Sequence, residues 1–213
     1  MLPIRIGRYE WVALPQRALY WPAQQMLLLA DLHLGKADTF RHFGVGIPHT
    51  LQESDLARLS HLLDTLAVQR CVVLGDFVHG RIVAPATCAL WNALVDARSH
   101  IRFELVLGNH DRAFDGQQLH IESVQGDLRI DGICLSHEPV PASALGDALN
   151  IHGHIHPAVR LPGMRQKLPA FVYEAPYLNL PAFSEFTAGV QPARARPSIW
   201  VVHEDEGLVL QIQ

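Results

Sequence analysis

The chain has 213 residues, of which 49% are hydrophobic and 18% are charged, and its formal net charge is −4. This composition excludes a disordered chain, and the length suits one domain, which we take to span residues 1–213. The small acidic excess gives no sign of the basic face that usually holds a protein to DNA phosphates.

The length of the apolar runs and the number of cysteines indicate the cellular location of the protein. Residues 1–10 contain no apolar core of a secretory signal, and no apolar run is long enough to span a bilayer. The three cysteines, Cys71, Cys88 and Cys134, are odd in number and far apart, so they imply no disulfide framework. We therefore expect a cytoplasmic protein without a membrane segment.

The predicted elements change character halfway along the chain. In the first half, strands are predicted over residues 4–14, 18–21, 26–30, 71–74 and 102–107, and helices over 51–66 and 86–97. The residues between 36 and 48 are predicted to form a loop. In the second half, strands are predicted over 128–136, 150–156, 171–173, 177–180 and 198–211, the last with a hairpin turn at 204–207. The first half favours a parallel sheet, so we expect an α/β protein of two face-to-face sheets with helices outside.

Polar residues that can bind metal ions or transfer protons lie at or just after the carboxyl ends of five predicted strands. They form the motifs Asp31-x-His33, Gly75-Asp76-x-x-His79, Gly108-Asn109-His110-Asp111, Ser136-His137 and Gly153-His154-x-His156. Loops at the carboxyl ends of strands converge on ligands in α/β sheets. In an extended chain, residues i and i+2 point to the same side, so Asp31 and His33 could hold one ion together. Each motif is weak alone, but all of them in this arrangement indicate a metal site.

This series of motifs resembles the calcineurin-like metallophosphoesterase superfamily, with all five motifs in family order from Asp31 to His156. The resemblance implies a four-layer α/β fold, in which two packed mixed β-sheets are flanked by helices. It also implies two metal sites and a proton donor. Asp31, His33 and His156 would hold one metal, Asn109, His137 and His154 the other, Asp76 would bridge both, and His110 would be the acid.

A narrower similarity covers most of the chain. It is carried by residues 30–41, 108–112, 136–139, 156–159 and 180–187. These segments resemble the bacterial ligase-associated DNA-damage-response phosphoesterases, a group of endonucleases and phosphodiesterases. The resemblance implies a phosphodiester substrate, with DNA as the candidate, and DNA-repair proteins as partners; the oligomeric state is left open.

The ligand types indicate the chemistry. Carboxylate, imidazole and amide together suit Mn, and also Fe or Zn, better than Mg or Ca alone. Two such ions sharing Asp76 would generate a bridging hydroxide that attacks the phosphorus atom. His110 would protonate the leaving oxygen as general acid, and Asp111 would orient the His110 imidazole. Arg112, Lys36 and Arg41 are candidate phosphate contacts, and His79 is a candidate packing or substrate-side residue.

Two other functions use the same residues. The first is hydrolysis of a small phosphoester or a nucleotide diphosphate, which the acidic net charge favours slightly. The second is a non-catalytic protein-binding scaffold, but scaffolds of this superfamily typically lack the acid or some ligands. Here every position is filled, which favours an enzyme.

Overall fold

Two mixed sheets form the centre of the computed structural model, which describes residues 1–48, 50–113, 118–192 and 197–213, without the side chains of Leu51, Arg112 and Ala113. The first sheet contains, in spatial order, β1 (Leu2–Ile6), β2 (Tyr9–Ala13), β3 (Leu19–Trp21), β4 (Met26–Leu29), β5 (Arg70–Leu74), β6 (Arg102–Val106) and β7 (Glu122–Val124). Strands β1 to β4 pair antiparallel, and β4 to β7 pair parallel.

The second sheet is built from the later part of the chain. Its strands are β8 (Leu128–Ile130), β9 (Ile133–Ser136), β10 (Leu149–His152), β12 (Leu168–Glu174), β13 (Tyr177–Asn179), β14 (Ser198–His203) and β15 (Leu208–Gln211), with the short β11 (Ala158–Val159) beside β12. Their spatial order is β15-β14-β12-β13-β10-β9-β8. Strands β9, β10 and β13 are parallel neighbours, and the remaining pairs are antiparallel.

The helices connect the parallel strands. They are α1 (Lys36–His42), α2 (Thr50–Thr65), α3 (Pro85–Asp96) and α4 (Ala142–Leu145), with 3-10 turns at Pro22–Gln24 and His110–Ala113. Within the described residues, no helix is long and apolar enough to cross a membrane. Two mixed sheets flanked by helices confirm the predicted fold class.

Successive side chains of the central strands point to opposite faces of the sheet, which divides the core into two layers. Leu28 of β4 and Val72 of β5 face the second sheet, in the same apolar cluster as Phe171. Their neighbours Leu27 and Val73 face the helices, in a cluster that also contains buried side chains of α2 and α3. Strands covered on both faces read as continuous apolar runs, which is why their sequences lack polar alternation.

Four predicted elements differ from the structure. Residues 4–14 and 128–136 are each two strands, because the chain turns at Gly7 and Gly132, both with positive φ. The predicted loop at 36–48 instead begins with helix α1. The strand predicted over 150–156 ends at His152, so the ligand motif that follows lies in a loop.

Candidate metal centre

Seven candidate metal ligands follow strands at one edge of the two sheets. Asp31 and His33 follow β4, Asp76 follows β5, Asn109 follows β6, His137 follows β9, and His154 and His156 follow β10. Strands β4 to β6 are parallel neighbours, as are β9 and β10. The carboxyl ends of these strands therefore bring the motifs together, as the positions of the motifs predicted.

The loops after β4 and β5 run side by side. The amide of Asp31 donates to the carbonyl of Gly75 (3.1 Å), and the amide of His33 donates to the carbonyl of Asp76 (2.9 Å). The two loops thereby extend the strand pairing beyond the sheet. This places the side chains of two separate motifs next to each other.

Five of the candidate ligands have left-handed backbone conformations. They are Asp31, His33, Asp76, His154 and His156, with φ between +47° and +69°. The extended geometry expected for residues i and i+2 is therefore wrong for both Asp31-x-His33 and His154-x-His156. Left-handed conformations cost a non-glycine residue roughly 1 kcal/mol or more, and such strain is typical of functional sites.

The first ligand group consists of Asp31, His33 and His156, whose candidate ligand atoms lie within 4.8 Å of one another. Asp31 is fully buried, and its Oδ1 lies 3.1 Å from Nε2 of His156. Burial, with further contributions from Lys36 and neighbouring histidines, lowers the pKa of His33 to about 2. The imidazole of His33 is therefore neutral and has a lone pair for a cation.

The second group consists of Asp76, His137 and His154, with Asn109 beside them. Nδ1 of His137 lies 3.0 Å from the carbonyl of Leu74, which can only accept, so Nδ1 carries the proton. Nε2 of His137 then faces three further ligand atoms. These are Oδ1 of Asn109 at 2.9 Å, Nδ1 of His154 at 3.1 Å and Oδ1 of Asp76 at 3.3 Å.

The electrostatics of both groups suit bound cations. In a neutral His137 the Nε2 atom is an acceptor, so crowding it against other acceptors is repulsive unless a positive charge lies between them. Among the described residues, Nδ1 of His33 and Nε2 of His156 are buried without a hydrogen-bond partner; the contact of His156 with Asp31 lacks hydrogen-bond geometry. Buried polar atoms without partners are costly, and metal coordination would satisfy them.

The glycines of three motifs have a steric role at this centre. A Cβ on Gly153 would lie 2.6 Å from Oδ2 of Asp31, and one on Gly108 would lie 2.6 Å from Oδ1 of Asp76. A Cβ on Gly75 would overlap the ring of His137. Each glycine therefore lets the backbone of one motif approach a ligand from another.

His110 lies beside the two groups and reaches solvent, with 44% of its side chain exposed. Its amide donates to Oδ1 of Asp76 (2.9 Å), and its Nε2 lies 3.9 Å from Oδ2 of the same carboxylate. Its ring stacks on His79, with centroids 5.2 Å apart and planes 19° apart. This position leaves the imidazole accessible to a substrate.

Asp111 has a different position from the one expected. Its carboxylate accepts hydrogen bonds from the amides of Val78 (2.9 Å) and Gly108 (2.8 Å), and it is almost fully buried. Burial raises its pKa, and these main-chain hydrogen bonds oppose that rise. Asp111 thus positions the loops that carry Asp76 and His110, and this is the role we assign in place of orienting the His110 imidazole.

The candidate substrate contacts are not equivalent. Lys36 interacts electrostatically with Asp76, and burial lowers the pKa of its ammonium group. The guanidinium of Arg41 instead donates to the carboxylate of Asp38 and the carbonyl of Ile47, so it holds the chain around α1 rather than facing a substrate. The side chain of Arg112 lies outside the described residues.

The sequence did not define the roles of two further residues, His79 and Phe186. The ring of His79 packs edge-on to His33 as well as stacking on His110, and burial lowers its pKa. Phe186 lies next to Lys36, with the ammonium 5.2 Å from the ring centroid. The only sequence signal for Phe186 was its place in the narrower family resemblance, which gave no role.

Comparison with known proteins agrees with this site. The family model for calcineurin-like phosphoesterases matches residues 25–188. The two sheets and the two ligand groups define a metal-dependent phosphoesterase. The chain belongs to the calcineurin-like phosphoesterase family and is accordingly a phosphoric ester hydrolase.

Solved structures include a similarity over the full length of the chain. The crystal structure of the Pseudomonas putida nuclease MPE is 33% identical, covers 99% of both chains and superposes with a TM-score of 0.86. The phosphoesterase YfcE from E. coli is 14% identical over 88% of this chain and 97% of its own, with a TM-score of 0.46. A protein of unknown function, AQ665 from Aquifex aeolicus, is 21% identical over 62% and 78%, with a TM-score of 0.43. A search among curated proteins finds no match.

Proposed function

We propose that this protein is a dinuclear metal-dependent phosphodiesterase that cleaves nucleic acid, with DNA undergoing repair as its substrate. The observation that carries the proposal is the pair of ligand groups beside an exposed histidine, His110. The likeness to a nuclease over 99% of both chains supports nucleic acid as the substrate. DNA-repair proteins are the partners that this function would involve.

The residues present fit two divalent ions, for which Mn is the first candidate and Fe or Zn are the alternatives. Asp31, His33 and His156 would hold one ion, and His137, His154 and Asn109 the other. Asp76, which lies in the second group, would be shared by both. Bound there, the two ions would supply an activated water and offset the charge that develops on the phosphate.

The protein's own groups would position the ester and move the proton. His110 would donate a proton to the leaving oxygen, since its ring is exposed beside the ligands. His79 would hold that ring by stacking, and Asp111 would hold the loop beneath it. Lys36 would contact a nonbridging oxygen of the phosphate, because its ammonium already interacts with Asp76 at this centre.

The same site could hydrolyse a small phosphoester, and the scaffold function is disfavoured because no ligand position is missing.

A cytoplasmic location is supported by the three free thiols, which a reducing compartment preserves.

The test compares a diester with a monoester. Bis-p-nitrophenyl phosphate and p-nitrophenyl phosphate are incubated with the protein and Mn²⁺, and a DNA oligonucleotide is assayed in parallel. Preferential diester and DNA cleavage that is lost on metal chelation supports the proposal. Cleavage of the monoester alone would replace it with a small-molecule phosphatase, and no cleavage with any transition metal would favour the scaffold.

A further inference from the structure

An aromatic cluster lies at helix α1, which follows the loop that carries the candidate ligands Asp31 and His33. It consists of Phe40 of α1 and Phe186, whose rings meet at a tilted angle of 67° with centroids 5.3 Å apart, and of Lys36, whose ammonium lies over the Phe186 ring. Both aromatic rings are partly exposed. None of these residues belongs to either ligand group.

Lys36 connects this cluster to the metal centre. Its amide donates to the carbonyl of His33 (3.0 Å), so Lys36 begins α1 next to a candidate ligand. Its ammonium, at the other end of the side chain, lies over the Phe186 ring. Lys36 therefore links the loop that carries His33 to the Phe186 ring.

The backbone that carries Phe186 is fixed to the ligand loop. The amide of Phe183 donates to the carbonyl of Ala30 (2.8 Å), and the amide of Ser184 donates to the carbonyl of Asp31 (3.3 Å). The hydroxyl of Ser184 in turn accepts from the amide of Phe186 (3.2 Å). The ring is thus held at a defined place relative to Asp31 rather than on a free loop.

Stacking on such a ring would supply binding free energy that the acidic net charge of the chain does not. A net charge of −4 leaves little nonspecific attraction for a phosphate backbone, so binding of a strand needs another source of free energy. Aromatic side chains supply it by stacking on nucleobases, and a base must be unpaired to stack in this way. A cation at the same ring adds a contact for the adjoining phosphate.

We propose that Phe186, packed against Phe40 and Lys36, is a stacking platform for the unpaired nucleobase next to the scissile phosphate. The site would then select single-stranded or frayed nucleic acid over duplex and over esters that lack a base. This inference rests on the proposed nuclease function and specifies its substrate.

The test compares two oligonucleotides that differ at one position. Both are single-stranded and labelled, and one carries an abasic nucleotide next to the cleaved linkage. For the wild type, kcat/KM should be about 5- to 150-fold higher on the substrate with the base, the range expected for one stacked base. In Phe186→Ala this ratio should fall close to one, whereas Phe186→Tyr should retain it.

Leu90→Ala is the matched control, because Leu90 is an apolar side chain exposed on α3 that belongs to neither the cluster nor the ligands. It should keep the wild-type ratio. Binding of both oligonucleotides to His110→Ala and to His110→Ala/Phe186→Ala, followed by fluorescence anisotropy, gives a second readout that does not need turnover. The second substitution should reduce affinity for the base-containing strand more than for the abasic one.

A wild type without preference for the base, or a Phe186→Ala variant with the wild-type ratio, would overturn the inference while leaving the nuclease function intact. A wild type that hydrolyses bis-p-nitrophenyl phosphate but no oligonucleotide would refute the nuclease function itself. Metal content measured for each variant separates loss of stacking from loss of the centre.

Discussion

At the scale of single residues, the candidate metal centre brings several lone pairs together around one imidazole nitrogen. Nε2 of His137 faces an amide oxygen, an imidazole nitrogen and a carboxylate oxygen, while its Nδ1 donates to a carbonyl. Such an arrangement is unfavourable without a cation. The favourable free energy of folding in the rest of the chain must therefore offset its cost, which leaves a binding site formed before a cation arrives.

His110 is expected to act on the substrate and not on the metals. Replacing it with alanine should lower kcat about 10²–10⁴-fold on a diester with a poor leaving group, since that is the usual contribution of a general acid. Metal content, measured by plasma mass spectrometry, should stay at the wild-type level. Full activity in this variant would show that another group protonates the leaving oxygen.

Substitution of Gly108 would test how closely the motifs must approach each other. A Cβ there would crowd Oδ1 of Asp76, whereas a Cβ on Gly46 has open space, and neither glycine has a positive φ. Gly108→Ala should lose metal affinity and about 1–3 kcal/mol of stability, the usual cost of overpacking. Gly46→Ala should change neither quantity. Titration with Mn²⁺ and urea unfolding would check both, and equal behaviour of the two variants would refute the steric role.

Which ligand residues meet could be anticipated from their order after strands, but how they meet could not. The left-handed conformations of Asp31 and His156 could not be predicted from sequence, since Asp and His adopt them more often than most residues but still only in a small minority of cases. The main-chain hydrogen bonds of Asp111 could not be anticipated either, because a carboxylate next to a histidine in sequence can bond the imidazole or the main chain.

At the scale of elements, the long helices and central strands were predictable because their apolar patterns span the whole element. Helix α2 was expected over 51–66 and is observed at Thr50–Thr65. Helix α1 was missed because it has only seven residues and begins after Gly35 without a side-chain cap. Short helices of this kind are stabilised by tertiary contacts, which no local pattern reports.

Arg58 joins α2 to the segment that carries Phe186. Its guanidinium contacts Asp55 (2.8 Å) and Glu185 (2.7 Å) and donates to the carbonyl of Phe183. The side chains of Arg58 and Asp55 are only 11% and 6% exposed. Arg58→Ala should therefore cost about 3–5 kcal/mol at neutral pH, since it leaves a buried charge unpaired.

The cost of Arg58→Ala should depend on pH in a defined direction. Burial raises the pKa of Asp55 to about 6, and Arg58 opposes this rise. The folded-state pKa lies above the unfolded one, so the ionised carboxyl destabilises the fold as pH rises through 6, and more so without Arg58. Urea unfolding should show a larger cost at pH 8 than at pH 5. Adding Asp55→Asn should remove this pH dependence, and a cost that is independent of pH would contradict the pairing.

At the scale of the molecule, the centre exists because two sheets built from different parts of the chain meet at one edge. The core between the sheets contains Leu28 and Val72 from the first sheet and Phe171 from the second. The alternation of strands and helices predicted both sheets, but not which strand edges would be adjacent, since that depends on packing of the whole chain. The assignment of residues 1–213 to one domain remains a prediction that this shared core supports.

Bound metal should stabilise the whole fold, because ligands from both sheets would be joined. At a free Mn²⁺ concentration of 100 times Kd, each site adds about 2.7 kcal/mol, or roughly 5–11 °C in Tm for a chain of this size. Calorimetry with Mn²⁺ and with EDTA would measure this shift. His110→Ala, which keeps all ligands, should show the same shift, and an unchanged Tm in the wild type would argue against specific binding.

The most direct test of a two-metal phosphodiesterase uses two histidines that are two residues apart but belong to different ligand groups, His154 and His156. Metal content and bis-p-nitrophenyl phosphate hydrolysis are measured for the wild type, His154→Ala and His156→Ala after loading with Mn²⁺. We predict two ions per wild-type chain, loss of a different ion in each variant, and loss of diester hydrolysis in both. A single ion in the wild type, or hydrolysis that persists in either variant, would contradict the two-metal centre.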